Sequence, residues 1–295
     1  MTERINESEA ANPDAQGARR THAGQTEPQS LPPRPILRRL FKPFRYAGTA
    51  IAFGLFGASG MLFRFGITPW LNLTEKDEEK RIRIARRIVW RWFWLFVAGI
   101  RDAGLVRVEV RHAERLNRPG LIVAANHPSL IDVVCLISLI PQATTIVKAS
   151  LAKNWFTAPP IRAAGYATND LGPEALGRLE ADLKRGAVFV VFPEGTRTPV
   201  DLPPGVVPRM HRGAAALALH TGRPVTPVRI SASPRWLTKD RGWWHMPDEP
   251  MTLTFEVLED IPVDDLRPLY NERPSIGARR LNKRLAAALF PVEHD

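Results

Sequence analysis

Two uninterrupted apolar runs, each breaking directly into a polar turn, limit what this chain can fold into. Leu121-Ile122-Val123-Ala124-Ala125 runs into Asn126-His127-Pro128, and Val188-Phe189-Val190-Val191-Phe192 runs into Pro193-Glu194-Gly195-Thr196-Arg197. A strand with one wet face alternates apolar and polar residues, whereas a strand without alternation is covered on both faces, as in parallel sheets flanked by helices. Further β-rich runs at 106–110, 145–147, 225–230 and 251–258 alternate with helical stretches at 128–140, 173–185, 213–221 and 276–289. The pattern predicts an α/β fold with a mostly parallel sheet covered by helices, and no internal repeat.

Ahead of this domain the composition changes twice. Residues 1–35 are rich in Glu, Pro, Ala, Gln and Thr and poor in large apolar side chains, which predicts a disordered arm; a secretory signal pattern is missing from it. Residues 36–104 read as membrane-associated helices. Arg34, Arg38, Arg39, Lys42 and Arg45 lead into residues 46–63, a charge-free stretch of a length near the lower limit for a bilayer span. A span, a re-entrant hairpin and a Gly-rich helix buried in a soluble core all fit it. If the stretch enters a membrane, the arginines before it place that end in the cytoplasm. A turn is expected at Pro69. Residues 81–100 then read as a helix with Arg81, Arg83, Arg86, Arg87 and Arg91 followed by Trp90, Trp92 and Trp94, the mixture expected at a headgroup boundary. The competing reading is a solvated basic end joined to a core helix. The α/β domain is expected over residues 105–295.

A formal charge of +11 favours a polyanionic partner: nucleic acid, an anionic membrane, or phosphorylated substrates. No nucleic-acid-reading module is recognisable, so nucleic acid is set aside. Cys135 is the single cysteine, which precludes an intrachain disulfide and a cysteine metal cluster and suits a cytoplasmic setting. Its apolar neighbours predict a packing residue rather than a nucleophile.

His127 falls in the loop at the carboxyl end of a buried strand, where open α/β sheets build ligand sites. Pro128 keeps His127 out of the helical region and suits the start of the next helix, with Asp132 about a turn further on. A carboxylate on one imidazole nitrogen fixes the tautomer and leaves the other as a general base. With no nucleophile evident beside the pair, the base would act on an acceptor hydroxyl. A capping His with a surface Asp is the bland alternative. In the second turn Arg197 is a forked donor suited to phosphate, Gly195 permits close backbone approach, and Glu194 would fix Arg197 or bind hydroxyls. A solvated Glu-Arg pair is the alternative there.

Together the two turns resemble the lysophospholipid and glycerol-phosphate acyltransferase family. Asn126-His127-Pro128-Ser129-Leu130-Ile131-Asp132 looks like its N-H-x-S-x-x-D motif, and Phe192-Pro193-Glu194-Gly195-Thr196-Arg197 is similar at every position to F-P-E-G-T-R. Val225-Thr226-Pro227-Val228 is similar to its later V-x-P-V strand. The resemblance implies acyl transfer from acyl-CoA or acyl carrier protein, as co-substrate, to a hydroxyl of a lysophospholipid such as 1-acylglycerol-3-phosphate. It implies no cofactor, metal or covalent enzyme intermediate, and an N-terminal helical membrane anchor; with the arginines before that anchor and the lone cysteine, the catalytic domain is expected to face the cytoplasm. His127 and Asp132 would be catalytic; Glu194, Gly195, Thr196, Arg197, Lys148 and Arg212 would bind substrate, with Arg209 and His211 beside Arg212. One motif departs. Where the family carries G-x-I-x-x-R, this chain has Gly165-Tyr166-Ala167-Thr168-Asn169-Asp170, with Arg162 as the nearest substitute. That leaves room for the same chemistry on a non-glycerophosphate lipid or polyketide-like alcohol; a catalytically silent membrane-binding protein is the remaining alternative.

Overall fold

The computed structural model describes residues 35–170, 173–202 and 206–291. The arm expected over residues 1–35 lies outside them except for Pro35. Seven strands, β1 (Val106–Arg111), β2 (Ile122–Ala125), β3 (Ala143–Val147), β4 (Ala167–Thr168), β5 (Val188–Val191), β6 (Val225–Ser233) and β7 (Met251–Val257), form one sheet in the order β1-β7-β6-β2-β5-β3-β4. All neighbours are parallel except β6 and β7. The mostly parallel sheet read from the sequence is the one observed. β2 and β5 are the central neighbours, with Ile122 opposite Phe189 and Ala124 opposite Val191, so the turns that follow them leave the sheet side by side.

The lack of alternation in β2 has its expected cause. Val123 and Ala125 pack with Val188, Val190 and Val228 on one face, and Ile122 and Ala124 with Phe189 and Val225 on the other. The first face is covered by α4 (Asp132–Ser138) and the N-terminal helices; the second by α7 (Pro173–Lys184), α8 (Gly213–Thr221) and α10 (Pro274–Leu289). Burying each large side chain contributes about 1.5–3 kcal/mol, which commits both faces to helices rather than water. Short α5 (Ala149–Lys153), α6 (Ala158–Ala163) and α9 (Arg267–Glu272) complete the fold.

The helix expected over 128–140 begins only at Asp132. Residues 126–131 stay non-helical because their amides find other acceptors: Ser129 N–H donates to the Asp132 carboxylate at 2.6 Å and Leu130 N–H to the Leu237 carbonyl at 3.0 Å.

The turn expected at Pro69 is not there. α1 (Pro35–Leu62) passes through a π-helical turn at Phe63–Ile67 into α2 (Thr68–Thr74), giving one apolar helix from Lys42 to Thr74. Pro69 lacks the N–H that a continuous α-helix would need, but it sits in the first turn of α2. There the Thr68 N–H already reaches back to Phe63, and the wider turn absorbs the irregularity.

This helix lies against the rest of the fold along its length. Near one end Arg45 donates to the carbonyls of Pro247 (3.0 Å) and Asp248 (2.9 Å), Lys42 pairs with Asp248 at 2.7 Å, and the Tyr46 hydroxyl donates to Trp244 O at 2.6 Å. In the middle Phe56 meets Phe93 and Phe96, and further on Arg64 donates to Trp155 O at 3.2 Å. Phe44, Ile51, Leu55, Leu62, Phe65 and Leu73, which recur at helical spacing, are left exposed as one apolar stripe.

α3 (Glu78–Asp102) contains the helix expected over 81–100. Asp77 caps it by accepting from Glu79 N–H (2.9 Å) and Lys80 N–H (3.2 Å), with Glu78 and Glu79 in the first turn. The arginines of its basic half do not all lie at the surface. Arg86 is only 3% exposed and pairs with Asp182 at 2.7 Å, while donating to Thr144 Oγ1 and the Ala164 carbonyl. Trp94 and Leu95 in the second half are exposed.

Candidate active site

The polar turn after β2 is tied down from its first residue. Asn126 donates from Nδ2 to the Ile230 carbonyl at 2.8 Å and accepts the Ile230 N–H on Oδ1 at 2.7 Å, locking the turn to β6. His127 follows, its ring 4.6 Å from that of Phe192 between centroids. Nδ1 of His127 lies 3.0 Å from Oδ2 of Asp132, and the Asp132 side chain is fully buried. Ser129 supplies that carboxylate with two donors: its N–H to Oδ2 at 2.6 Å, and its hydroxyl through a very short bond to Oδ1. A carboxylate held this way fixes the imidazole with Nδ1 protonated and Nε2 free to accept a proton. The His127 side chain is 15% exposed, so it is reachable from outside but mostly dry. Beneath the pair, burial and then the nearby Asp132 charge push the Cys135 thiol well above its ordinary range, as befits a packing residue.

Glu194 joins the second turn to the first. Its Oε1 accepts the His127 backbone N–H at 2.9 Å and the Thr198 hydroxyl at 2.8 Å, and the Thr198 N–H donates to the His127 carbonyl at 2.7 Å. Burial raises the Glu194 carboxyl above the usual carboxylate range, partly offset by those two donors. Its second oxygen, Oε2, is buried and has no hydrogen-bond partner among the described residues. Gly195 has φ +64°, and a Cβ there would come within 2.9 Å of the His211 ring, so both conformation and space require glycine. The Pro193 carbonyl accepts from His211 N–H at 2.7 Å, which keeps that ring over the turn.

Arg197 does something the sequence did not suggest. Its Nη1 donates to the carbonyls of Leu237 (2.9 Å) and Thr238 (2.7 Å), so this nitrogen holds the segment that also accepts the Leu130 N–H. Glu194 engages His127 and Thr198 rather than Arg197. Thr196 is half-buried within the turn. Lys148, at the end of β3, and Arg212, at the start of α8, are exposed at the rim, as are Arg209 and His211. In the turn that departs from the family pattern, Asp170 is exposed, and a hydrogen bond with the Thr168 side chain keeps its carboxyl below the usual range. Arg162 donates to the Ala152 carbonyl at 3.3 Å.

Ser129, Thr198 and Asn126 received no role from the sequence. Ser129 and Asn126 lie inside the first motif, so their position was a signal left unused; Thr198 lies one residue past the second motif and gave none.

Residues 107–231, which take in both turns, match the family described as Acyltransferase. These residues form an acyltransferase domain. Over 169 residues the chain is 29% identical to a 1-acyl-sn-glycerol-3-phosphate acyltransferase of Pseudomonas aeruginosa, a match over 53% of this chain and 58% of the relative. The chain thus spans little more than half the length of that relative. The crystal structure of the 1-acyl-sn-glycerophosphate acyltransferase PlsC from Thermotoga maritima superposes with a TM-score of 0.57 at 25% identity, covering 84% of this chain and 98% of that one. The likeness therefore extends beyond the acyltransferase domain into the N-terminal helices.

Proposed function

We propose that this chain transfers a fatty acyl group from a thioester donor, acyl-CoA or acyl carrier protein, to the free hydroxyl of a lysolipid of the 1-acylglycerol-3-phosphate type, for phospholipid synthesis. The observation that carries the reading is the His127 Nδ1 contact with a buried, doubly donated Asp132. Nε2 of His127 takes the acceptor hydroxyl proton as its oxygen attacks the thioester carbonyl. Collapse of the tetrahedral intermediate breaks the C–S bond, and the imidazolium returns the proton to the leaving thiolate. Asp132 holds the tautomer and stabilises the imidazolium. Glu194 sets the position of His127 through its backbone, and the exposed cations Lys148 and Arg212 at the rim suit the phosphates of acceptor and donor.

The exposed apolar stripe supports membrane association, with the long helix lying in the interface rather than crossing it. From Tyr46 to Arg64 the helix runs about 27 Å, close to the thickness of the hydrocarbon core, and protein packs on it at both ends. A crossing helix would put those two contacts on opposite membrane faces. The single cysteine, buried and unpaired as a thiol, supports a reducing, cytoplasmic setting for the catalytic domain.

Purified His127→Ala protein should lose thioester-dependent acyl transfer; retention of wild-type turnover would overturn the assignment and leave a membrane-binding protein. The second reading, a non-glycerophosphate acceptor, is favoured by Asp170 standing where an arginine would meet a phosphate. Mass spectrometry of the product made by membranes with labelled acyl donor separates the two, phosphatidic acid supporting the first.

A further inference from the structure

α5 and the turn that joins it to α6 carry bulky apolar side chains that no core claims. Leu151, Trp155 and Phe156 are 43%, 54% and 45% exposed. Their presentation is fixed by local hydrogen bonds. Asn154 Oδ1 accepts from Phe156 N–H (2.9 Å) and Thr157 N–H (3.3 Å), and the Thr157 hydroxyl donates to the Leu151 carbonyl at 2.6 Å. A clustered apolar surface held in one conformation marks an interaction site more than a scattered exposed residue does.

The same turn is fastened to the long helix. The Arg64 guanidinium lies 3.8 Å from the Trp155 ring centroid, and the Phe65 ring is 6.5 Å from that of Trp155. At Gly60 the helix backbone comes so close to the Phe156 carbonyl that a Cβ would overlap it. Phe65 belongs to the exposed stripe, so the turn extends that stripe onto the acyltransferase domain itself. Exposed Lys148 and Lys153 flank the patch, supplying cations beside the aromatic rings.

We propose that Leu151, Trp155 and Phe156 form a second membrane contact, carried by the catalytic domain, that seats in the interfacial layer of an anionic bilayer beside the long helix. The proposal rests on the membrane reading of that helix. Trp and Phe at headgroup depth with lysine stems reaching to anionic lipid is the composition such a layer selects. α5 begins directly after β3, whose carboxyl end lies on the same sheet edge as His127 and Glu194. Pressing this turn to the bilayer turns that edge toward lipid, so a lysolipid reaches His127 without crossing water.

Because Cys135 is buried, a single cysteine introduced by Leu151→Cys in the full chain is open to selective nitroxide labelling, with Leu55→Cys as the probe of the helix stripe. On vesicles of phosphatidylcholine and phosphatidylglycerol, both labels should show high oxygen and low nickel-chelate accessibility. A label at 151 that stays in water while the label at 55 is in lipid overturns the proposal and leaves the helix reading standing; both labels in water overturns both. Independently, the double variant Trp155→Ser, Phe156→Ser should bind these vesicles at least about tenfold more weakly, with unchanged turnover of a water-soluble short-chain acceptor. Unchanged vesicle binding would overturn the proposal.

Discussion

Glu194 accepts the backbone N–H of His127 at 2.9 Å, joining the turn after β5 to the turn after β2 through a buried carboxylate. The contact is possible because β2 and β5 are adjacent and parallel, so both turns leave the sheet at the same level. Glu194 thereby positions the imidazole from behind. Glu194→Ala leaves the His127 N–H without this acceptor and should cost about 1–3 kcal/mol of stability in urea unfolding, together with most of the acyl transfer.

The same residue predicts a pH dependence of stability. Burial raises the Glu194 carboxyl in the folded state above its unfolded value, so the folded protein binds that proton more tightly. Its contribution to stability is therefore greatest below the unfolded pKa and falls as pH rises through the raised folded value. Glu194→Gln keeps an acceptor for the His127 N–H and cannot ionise. Unfolding free energies measured from pH 4 upward should decline less steeply in the Gln variant than in the wild type.

Asp132→Asn tests the imidazole's partner with little change of shape. The amide has one acceptor oxygen in place of two, so it cannot serve Ser129 and His127 as the carboxylate does. Acyl transfer should fall about 10²–10⁴-fold in kcat, with a smaller effect on KM. Steady-state kinetics with a thiol-release readout checks this, and a circular dichroism spectrum like the wild type's confirms that folding is intact.

The parts of the fold that were legible in the sequence are those where burial alone decides. β2 and β5 announced themselves because both of their faces are covered, and the two turns because a polar cluster directly follows each apolar run. What was not legible depended on partners distant in sequence. Arg197 looked like a free fork until the Leu237 and Thr238 carbonyls came beside it, and Arg86 looked like one of a row of surface arginines until Asp182 appeared under it. Pro69 signalled a turn because a proline normally ends a helix, and nothing in sequence marks the π-helical turn that accommodates it. β4 is two residues long, too short for any periodicity to show.

The Arg86–Asp182 pair is buried, and removing one partner strands the other. Asp182→Ala should destabilise by about 3–5 kcal/mol, seen as a lower urea midpoint. Replacing both, Arg86→Met with Asp182→Leu, should recover most of the loss, because the expense lies in the uncompensated charge. A double variant no better than Asp182→Ala alone would mean that the pair's links to Thr144 and Ala164 matter more than its charges.

Arg197 separates a structural from a phosphate-binding role. Arg197→Lys keeps the charge but withdraws the donor nitrogen from the place where Nη1 meets both carbonyls, so it should lower stability by about 1.5–3 kcal/mol and loosen the segment at Leu237 that holds Leu130. Hydrogen exchange at 236–238 should quicken. A rise in KM with no change in melting temperature would instead assign Arg197 to the phosphate.

Gly60 and its neighbours in the long helix make the last test, because helix propensity and packing pull in opposite directions there. Alanine is favoured over glycine in a helix by about 1 kcal/mol, and at Gly54 and Gly57 nothing lies near an added Cβ, so Ala at either should be neutral or mildly stabilising. At Gly60 the added methyl overlaps the Phe156 carbonyl, which is backbone and cannot rotate away. Gly60→Ala should therefore destabilise by about 1–3 kcal/mol despite the propensity gain. The wedge also separates Arg64 from Trp155, so hydrogen exchange should rise at 154–157 in Gly60→Ala and remain as in the wild type in Gly54→Ala. Equal stability of the two variants would show that the helix and the α5–α6 turn are not coupled.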